Sequence, residues 1–174
     1  QPAELTVKSI MVQLRDDIES RSVTWADVHR DTKGLVRKLL GHGPSGGPWE
    51  GIVVLTRGGL VPAAIVAREM EIRVVDTLCI SSYDEQIQEG LQVLKIPEAA
   101  NAVKGQGWLL LDDLVDTGST AKAAREILPL AHFATVYAKP QGLPHVDTFV
   151  HEVAQAVWVF FPWDTEPQYV QPIA

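Results

Sequence analysis

Residues 109–120, Leu-Leu-Leu-Asp-Asp-Leu-Val-Asp-Thr-Gly-Ser-Thr, constrain the fold of this chain more than any other stretch. Three consecutive leucines after Trp108 predict the end of a strand covered on both faces, because a half-exposed strand would alternate apolar with polar residues. Asp112 and Asp113 are adjacent, so on an extended chain they point to opposite sides; one can face a ligand while the other supports the loop. Thr117, Gly118, Ser119 and Thr120 then offer backbone N–H groups and hydroxyls. The helical pattern from Ala121 to Leu128 aims the amides of a helix start at an anion. Any capped turn uses Asp, Gly, Ser and Thr. Three carboxylates within five residues (Asp112, Asp113, Asp116) nevertheless repel one another, which a Mg²⁺-bound sugar phosphate would relieve and a plain turn would not. No G-x-x-x-x-G-K-[ST] occurs here, which excludes a P-loop.

Around this segment strand and helix patterns alternate. Strands are expected over 51–56, 73–80, 107–112 and 132–138, and helices over 60–71 and 119–128. Before them, Thr24 and Asp27 give a capping-box pattern ahead of an apolar face of Val28, Leu35, Val36, Leu39 and Leu40, ending at Gly41. The expected fold is α/β: a single domain with a mainly parallel twisted sheet flanked by helices. Residues 81–106 interrupt the alternation with polar and small residues and a hairpin signal at Glu89–Gly90, forming a candidate hood or lid beside the site. Residues 1–22 read as an N-terminal extension, with a short amphipathic helix over 5–20. The main domain is expected over 23–174, with a C-terminal ligand-binding segment over 150–174. The run from Gly43 to Pro48 is too short for a domain linker and reads as a loop.

In an open parallel sheet ligands bind beyond the carboxyl ends of the strands, so the loops there belong together. After Val53-Val54-Leu55 comes Thr56-Arg57-Gly58-Gly59, where Arg57 offers a fork of donors suited to pyrophosphate. The glycines permit backbone geometry that other residues resist. At the end of the strand from His132, Pro140 stops the ladder and leaves Lys139 at the rim. Further on, Val157-Trp158-Val159-Phe160-Phe161-Pro162-Trp163-Asp164 offers Trp158 as an aromatic that can stack on a planar ligand, while Phe160, Phe161 and Trp163 read as core or subunit interface.

Leu110 to Thr120 resembles the phosphoribosyl pyrophosphate (PRPP) signature of type I phosphoribosyltransferases: apolar residues, two acids, then Asp-Thr-Gly-small-Thr. Further resemblances through most of residues 23–165 point to the bacterial xanthine-guanine branch. The resemblance implies Mg²⁺-dependent transfer of the 5-phosphoribosyl group of PRPP to N9 of a 6-oxopurine, with pyrophosphate released, in purine salvage. Guanine and xanthine are the implied bases, with hypoxanthine weaker. It implies PRPP binding by Arg57, Gly58, Asp112, Asp113, Leu114, Val115, Asp116, Thr117, Gly118, Ser119 and Thr120. Within that set, the loop from Asp116 to Thr120 cradles the 5′-phosphate, and Asp113 takes the metal-associated position, with Asp164 as a second acid near the metal and pyrophosphate. Asp116 matches the catalytic acid near purine N7. The remaining purine contacts implied are Lys139, Trp158 and the backbone of Val159. A lysine ammonium carries donors only, so it favours an oxygen at position 6 and disfavours the amino group of adenine. Relatives commonly carry a cis peptide after the basic residue of the first loop, here Arg57–Gly58. The segments Ser81-Ser82-Tyr83-Asp84 and Leu91-Gln92-Val93-Leu94-Lys95 resemble the family's hood. Glu89 stands there in place of a PRPP-contacting arginine, so either a neighbour such as Lys95 substitutes or the hood is arranged differently.

The competing readings are a hypoxanthine-preferring enzyme, since Lys139 does not see position 2 of the base, and a non-catalytic regulator that binds PRPP or nucleotide. A net charge of −7 leaves no basic stripe for nucleic acid. The single cysteine, Cys79, permits no internal disulfide and fits a reducing compartment. No apolar run approaches the roughly 20 residues of a membrane span, and no signal pattern opens the chain, so a cytoplasmic protein is expected. Some relatives associate with the inner membrane, but nothing here requires it. Relatives are commonly tetramers, and a homo-oligomer is expected. His29, His42, His132, His145 and His151 show no metal-ligand spacing and read as structural or surface residues.

Overall fold

The computed structural model describes residues 19–83, 90–166, 168–169 and 173. In chain order they form β1 (Ser20–Ser22), α1 (Trp25–Leu39), β2 (Gly51–Thr56), α2 (Leu60–Glu69), β3 (Val75–Tyr83), β4 (Gly90–Lys95), α3 (Glu98–Ala102), β5 (Trp108–Val115), α4 (Ser119–Ile127), β6 (His132–Ala138), β7 (Thr148–Glu152), β8 (Trp158–Phe160), β9 (Thr165–Glu166) and β10 (Gln168–Tyr169). They divide into two compact units, one comprising Ala26–Gln155 and the other the chain ends up to Trp25 and from Ala156.

The larger unit is built on a six-stranded sheet ordered β4-β3-β2-β5-β6-β7. All neighbours run parallel except β3 and β4. Leu109, Leu110 and Leu111 are all fully buried in β5, which is covered on both faces as their unbroken apolar run requires. On one face Val53, Leu78, Leu110 and Phe133 pack with Ala121, Ala124 and Leu128 from α4 and its end, and with Ala100 of α3. α1 lies against the β6–β7 side: Lys38 Nζ donates to the Phe149 carbonyl at 2.8 Å, and Gly34 leaves room for Val150, whose methyl would be 3.4 Å from an added Cβ.

Several boundaries differ from expectation. β5 continues past Asp112 through Asp113 and Leu114 to Val115, because pairing with β6 persists at Leu114↔Tyr137 and Val115↔Ala138. The acids therefore lie on the strand itself. β3 runs on to Tyr83 and pairs antiparallel with β4, so the stretch 81–106 holds strand and a short helix. β7 has no strong alternation in sequence; it forms because β6 offers a free parallel edge. The hairpin signal at Glu89 falls outside the described residues, as does all but the last two residues of the helix expected over 5–20; there Ser20 opens a strand.

In the smaller unit β1 pairs parallel with β8, Ser20↔Trp158 through Ser22↔Phe160. The Val23 N–H extends the pairing to the Phe160 carbonyl at 2.9 Å. Phe161 and Trp163 stack with centroids 4.7 Å apart and planes 5° from parallel. β9 and β10 form a two-stranded antiparallel ribbon.

Candidate active site

β2, β5 and β6 are neighbouring parallel strands, so the loops that follow them open at the same edge of the sheet. The loop after β2 carries Arg57, exposed and engaged in no ion pair among the described residues. The peptide between Thr56 and Arg57 is cis, one bond earlier than the expected Arg57–Gly58. The two glycines serve close approach instead. A Cβ on Gly58 would sit 2.6 Å from Asp113 Oδ1, and one on Gly59 2.5 Å from the Leu111 carbonyl oxygen. The Arg57 loop is thus laid directly on β5, with the Asp113 carboxylate over Gly58.

At the end of β5 the acids hold the local backbone. Asp112 Oδ1 accepts from the Asp113 N–H at 2.9 Å, and Asp113 Oδ1 accepts from the Leu114 N–H at 2.6 Å. Desolvation, and then the neighbouring Asp113 charge, push the Asp112 carboxyl well above the ordinary carboxylate range. Gly118 precedes α4 in the left-handed region, with φ 88° and ψ 0°. The helix that starts there leaves its first amides without intrahelical acceptors, beside the exposed hydroxyls of Thr117 and Ser119, 3.2 Å apart. His145, from the turn between β6 and β7, packs on this loop so closely that a Cβ on Gly118 would lie 2.5 Å from its Cδ2.

Lys139 is not at the rim. It is 4% exposed, since its N–H extends the β6 pairing to the Val115 carbonyl at 2.9 Å before Pro140 ends the ladder. A buried ammonium requires a partner, and Asp116 Oδ2 accepts from Lys139 Nζ at 2.8 Å. The other oxygen, Oδ1, accepts from Gln155 Nε2 at 2.8 Å, and Gln155 Oε1 accepts from the Gln141 N–H at 3.0 Å. His145 was read from sequence as a structural or surface residue, and Gln155 was not singled out: it lies 39 residues from Asp116, and only folding brings the two together.

Arg57, Gly58, Asp112, Asp113, Leu114, Val115, Asp116, Thr117, Gly118, Ser119, Thr120 and Lys139 all belong to the larger unit. Trp158, Val159 and Asp164 belong to the smaller one, on β8 and the turn after it; Trp158 is exposed and Val159 buried. Lys95, the neighbour weighed as a substitute for a hood arginine, is paired within its own hairpin. Its ammonium reaches back to Asp76 Oδ1 at 2.5 Å and the Thr77 carbonyl at 3.0 Å, at the foot of the β3–β4 pair.

No cluster of three or more His, Cys, Asp or Glu side chains among the described residues can cage a metal by itself. The donor set suits Mg²⁺ held jointly with a substrate. This ion takes one or two carboxylates and substrate phosphates rather than an all-protein cage. A cation bound here would offset the Asp113 charge that burdens Asp112.

Strand-end acids, a left-handed loop before a helix and a buried lysine on the next strand end thus gather at one edge of a parallel sheet. The chain belongs to the phosphoribosyl transferase domain family, matched over residues 24–170. It is 56% identical over 152 residues to the xanthine-guanine phosphoribosyltransferase of Nitratidesulfovibrio vulgaris strain DP4, covering 87% of this chain and 88% of that one. The enzyme of the same name from Cereibacter sphaeroides is 52% identical over 150 residues, covering 86% and 90%. Among solved structures, the purine phosphoribosyltransferase of Pyrococcus horikoshii superposes with a TM-score of 0.70 at 22% identity, covering 89% of this chain and 100% of that one. This last likeness bears on the fold.

Proposed function

We propose that this protein is a purine-salvage enzyme that transfers the 5-phosphoribosyl group of PRPP to N9 of guanine or xanthine, with hypoxanthine weaker, and releases pyrophosphate. The Lys139–Asp116 pair carries the reading: a buried donor-only cation and an acceptor-only carboxylate, 2.8 Å apart, beside a phosphate-type loop. A 6-oxopurine presents the complementary pattern, an acceptor at O6 and a proton at N7, on one edge. Adenine offers a donor where Lys139 needs an acceptor.

In this reading the amides of Gly118 to Thr120 and the hydroxyls of Thr117, Ser119 and Thr120 hold the 5′-phosphate at the start of α4. Arg57 and the Gly58 amide beside it take the pyrophosphate. Asp112 and Asp113 face the ribose hydroxyls and offset the positive charge that grows on the sugar as the C1–O bond loosens. The resemblance assigns Asp113, and Asp164 as a second acid, to Mg²⁺, which would neutralise the departing pyrophosphate when bound. Asp116 accepts the N7 proton as N9 attacks. The resemblance assigns Trp158 to stacking on the purine and the Val159 backbone to its edge groups. We extend the reading to a homo-oligomer; no helix among the described residues is long and apolar enough to cross a membrane.

Incubation with PRPP, Mg²⁺ and each of guanine, xanthine, hypoxanthine and adenine tests it. Nucleotide is expected from guanine and xanthine first. No product from any oxopurine sinks the reading, and adenine as best substrate sinks the role of Lys139.

A further inference from the structure

Gln155 ties the acid to the lysine loop through one amide. Its Oε1 accepts from the Gln141 N–H at 3.0 Å, its Nε2 donates to Asp116 Oδ1 at 2.8 Å, and Lys139 donates to Asp116 Oδ2 at 2.8 Å. The amide cannot be turned over. A backbone N–H only donates, so the atom facing Gln141 is the oxygen, and the nitrogen is left for Asp116. Both carboxylate oxygens then face donors, which holds Asp116 as an acceptor and fixes its plane at two points. Lys139 alone would fix one oxygen and leave the carboxylate free to turn about a soft sp³–sp² torsion. Each oxygen keeps a second lone pair, so a purine N7–H can be accepted without displacing either donor.

Resting on the reading of Asp116 as the base-facing acid, we propose that Gln155 is a positioning residue of this site: its amide sets the plane of the Asp116 carboxylate for the imidazole edge of the purine. Gln155 is the last residue of the larger unit and precedes Trp158 by three positions, so its anchorage to Gln141 also marks where the chain leaves the Lys139 loop.

The test compares Gln155→Glu and Gln155→Leu in the full-length protein. Glu keeps an oxygen for the Gln141 N–H but sets an anion, not a donor, against Asp116. A mere staple for the loop tolerates Glu; a positioning residue does not. Both variants are expected to lower kcat with guanine by about 10- to 100-fold and leave the KM for PRPP within about twofold. Gln155→Glu at wild-type kcat, or a loss confined to the KM for PRPP, overturns the proposal. A second readout does not depend on turnover: the ¹⁵N–¹H side-chain signal of Gln155, assigned by its loss in Gln155→Glu, should shift and exchange faster in Asp116→Ala. An unchanged signal overturns the Gln155 assignment alone, whereas a wild-type protein that forms no nucleotide overturns the catalytic reading alone.

Discussion

Lys139 combines a buried ammonium with a half-exposed carboxylate partner, so its removal takes the cation from Asp116 and, in the proposed function, deletes the donor for O6. Lys139→Met should lower kcat/KM for guanine by at least about 100-fold in steady-state kinetics, with a smaller change in the KM for PRPP. Gly58 is the counterpart for PRPP in the proposed function. A Cβ there meets the Asp113 carboxylate at 2.6 Å, so Gly58→Ala should raise the KM for Mg²⁺-PRPP by about tenfold or more while base discrimination stays as it was. At this scale the clustering of Asp112, Asp113, Asp116 and Thr117 to Thr120 was legible because chain neighbours must be spatial neighbours. Gly58 was legible as a turn residue, but not as the floor under Asp113. His145 and Gln155 carried no local signal, since a His in a polar turn and a Gln after a strand are ordinary surface residues until another loop closes on them.

α1 is held to the sheet by a polar anchor as well as by Leu35 and Leu39. Asp31, 3% exposed, accepts from the Tyr137 hydroxyl at 2.5 Å and from Arg30 Nε at 2.9 Å, and lies 3.2 Å from His151 Nε2. Burial works against its ionisation, but the hydrogen bonds from Tyr137, Arg30 and His151 outweigh it and hold the carboxyl below its ordinary 3.8. A depressed folded-state value means the unfolded chain binds the proton more readily. The contribution is therefore present above about pH 4 and is lost as pH falls through the folded value. Asp31→Asn should cost about 1–3 kcal/mol of unfolding free energy at pH 7, and its stability should fall less steeply than wild type on acidification below pH 4, measured by urea titration across pH. The elements themselves were largely legible: β2 and β6 keep the expected bounds, because apolar runs between turn residues leave few registers. The ends of β3 and β5 were not, since polar residues extend a strand only when a neighbour supplies the ladder.

The whole molecule places its charge chemistry on parallel strand ends and provides no self-sufficient metal cage among the described residues. Metal removal should therefore abolish turnover without touching the fold. Excess EDTA is expected to stop nucleotide formation and leave the thermal midpoint of the ligand-free protein unchanged within error, whereas Mg²⁺ and PRPP together should raise that midpoint. A drop in midpoint with EDTA alone would indicate a structural metal instead.

By itself the sequence determined the sheet's parallel character, the strand-to-helix turn with its acids and small residues, and the family to which the chain belongs. These are properties of contiguous residues, where periodicity, turn chemistry and charge spacing act over a few positions. Only the tertiary structure decided that Lys139 is buried against Asp116 rather than solvated at the rim, that Gly58 lies beneath Asp113, and that Gln155 closes the other side of the Asp116 carboxylate. Each of these joins residues far apart in the chain. Desolvation and hydrogen-bond satisfaction there depend on which loops the sheet order brings to one edge.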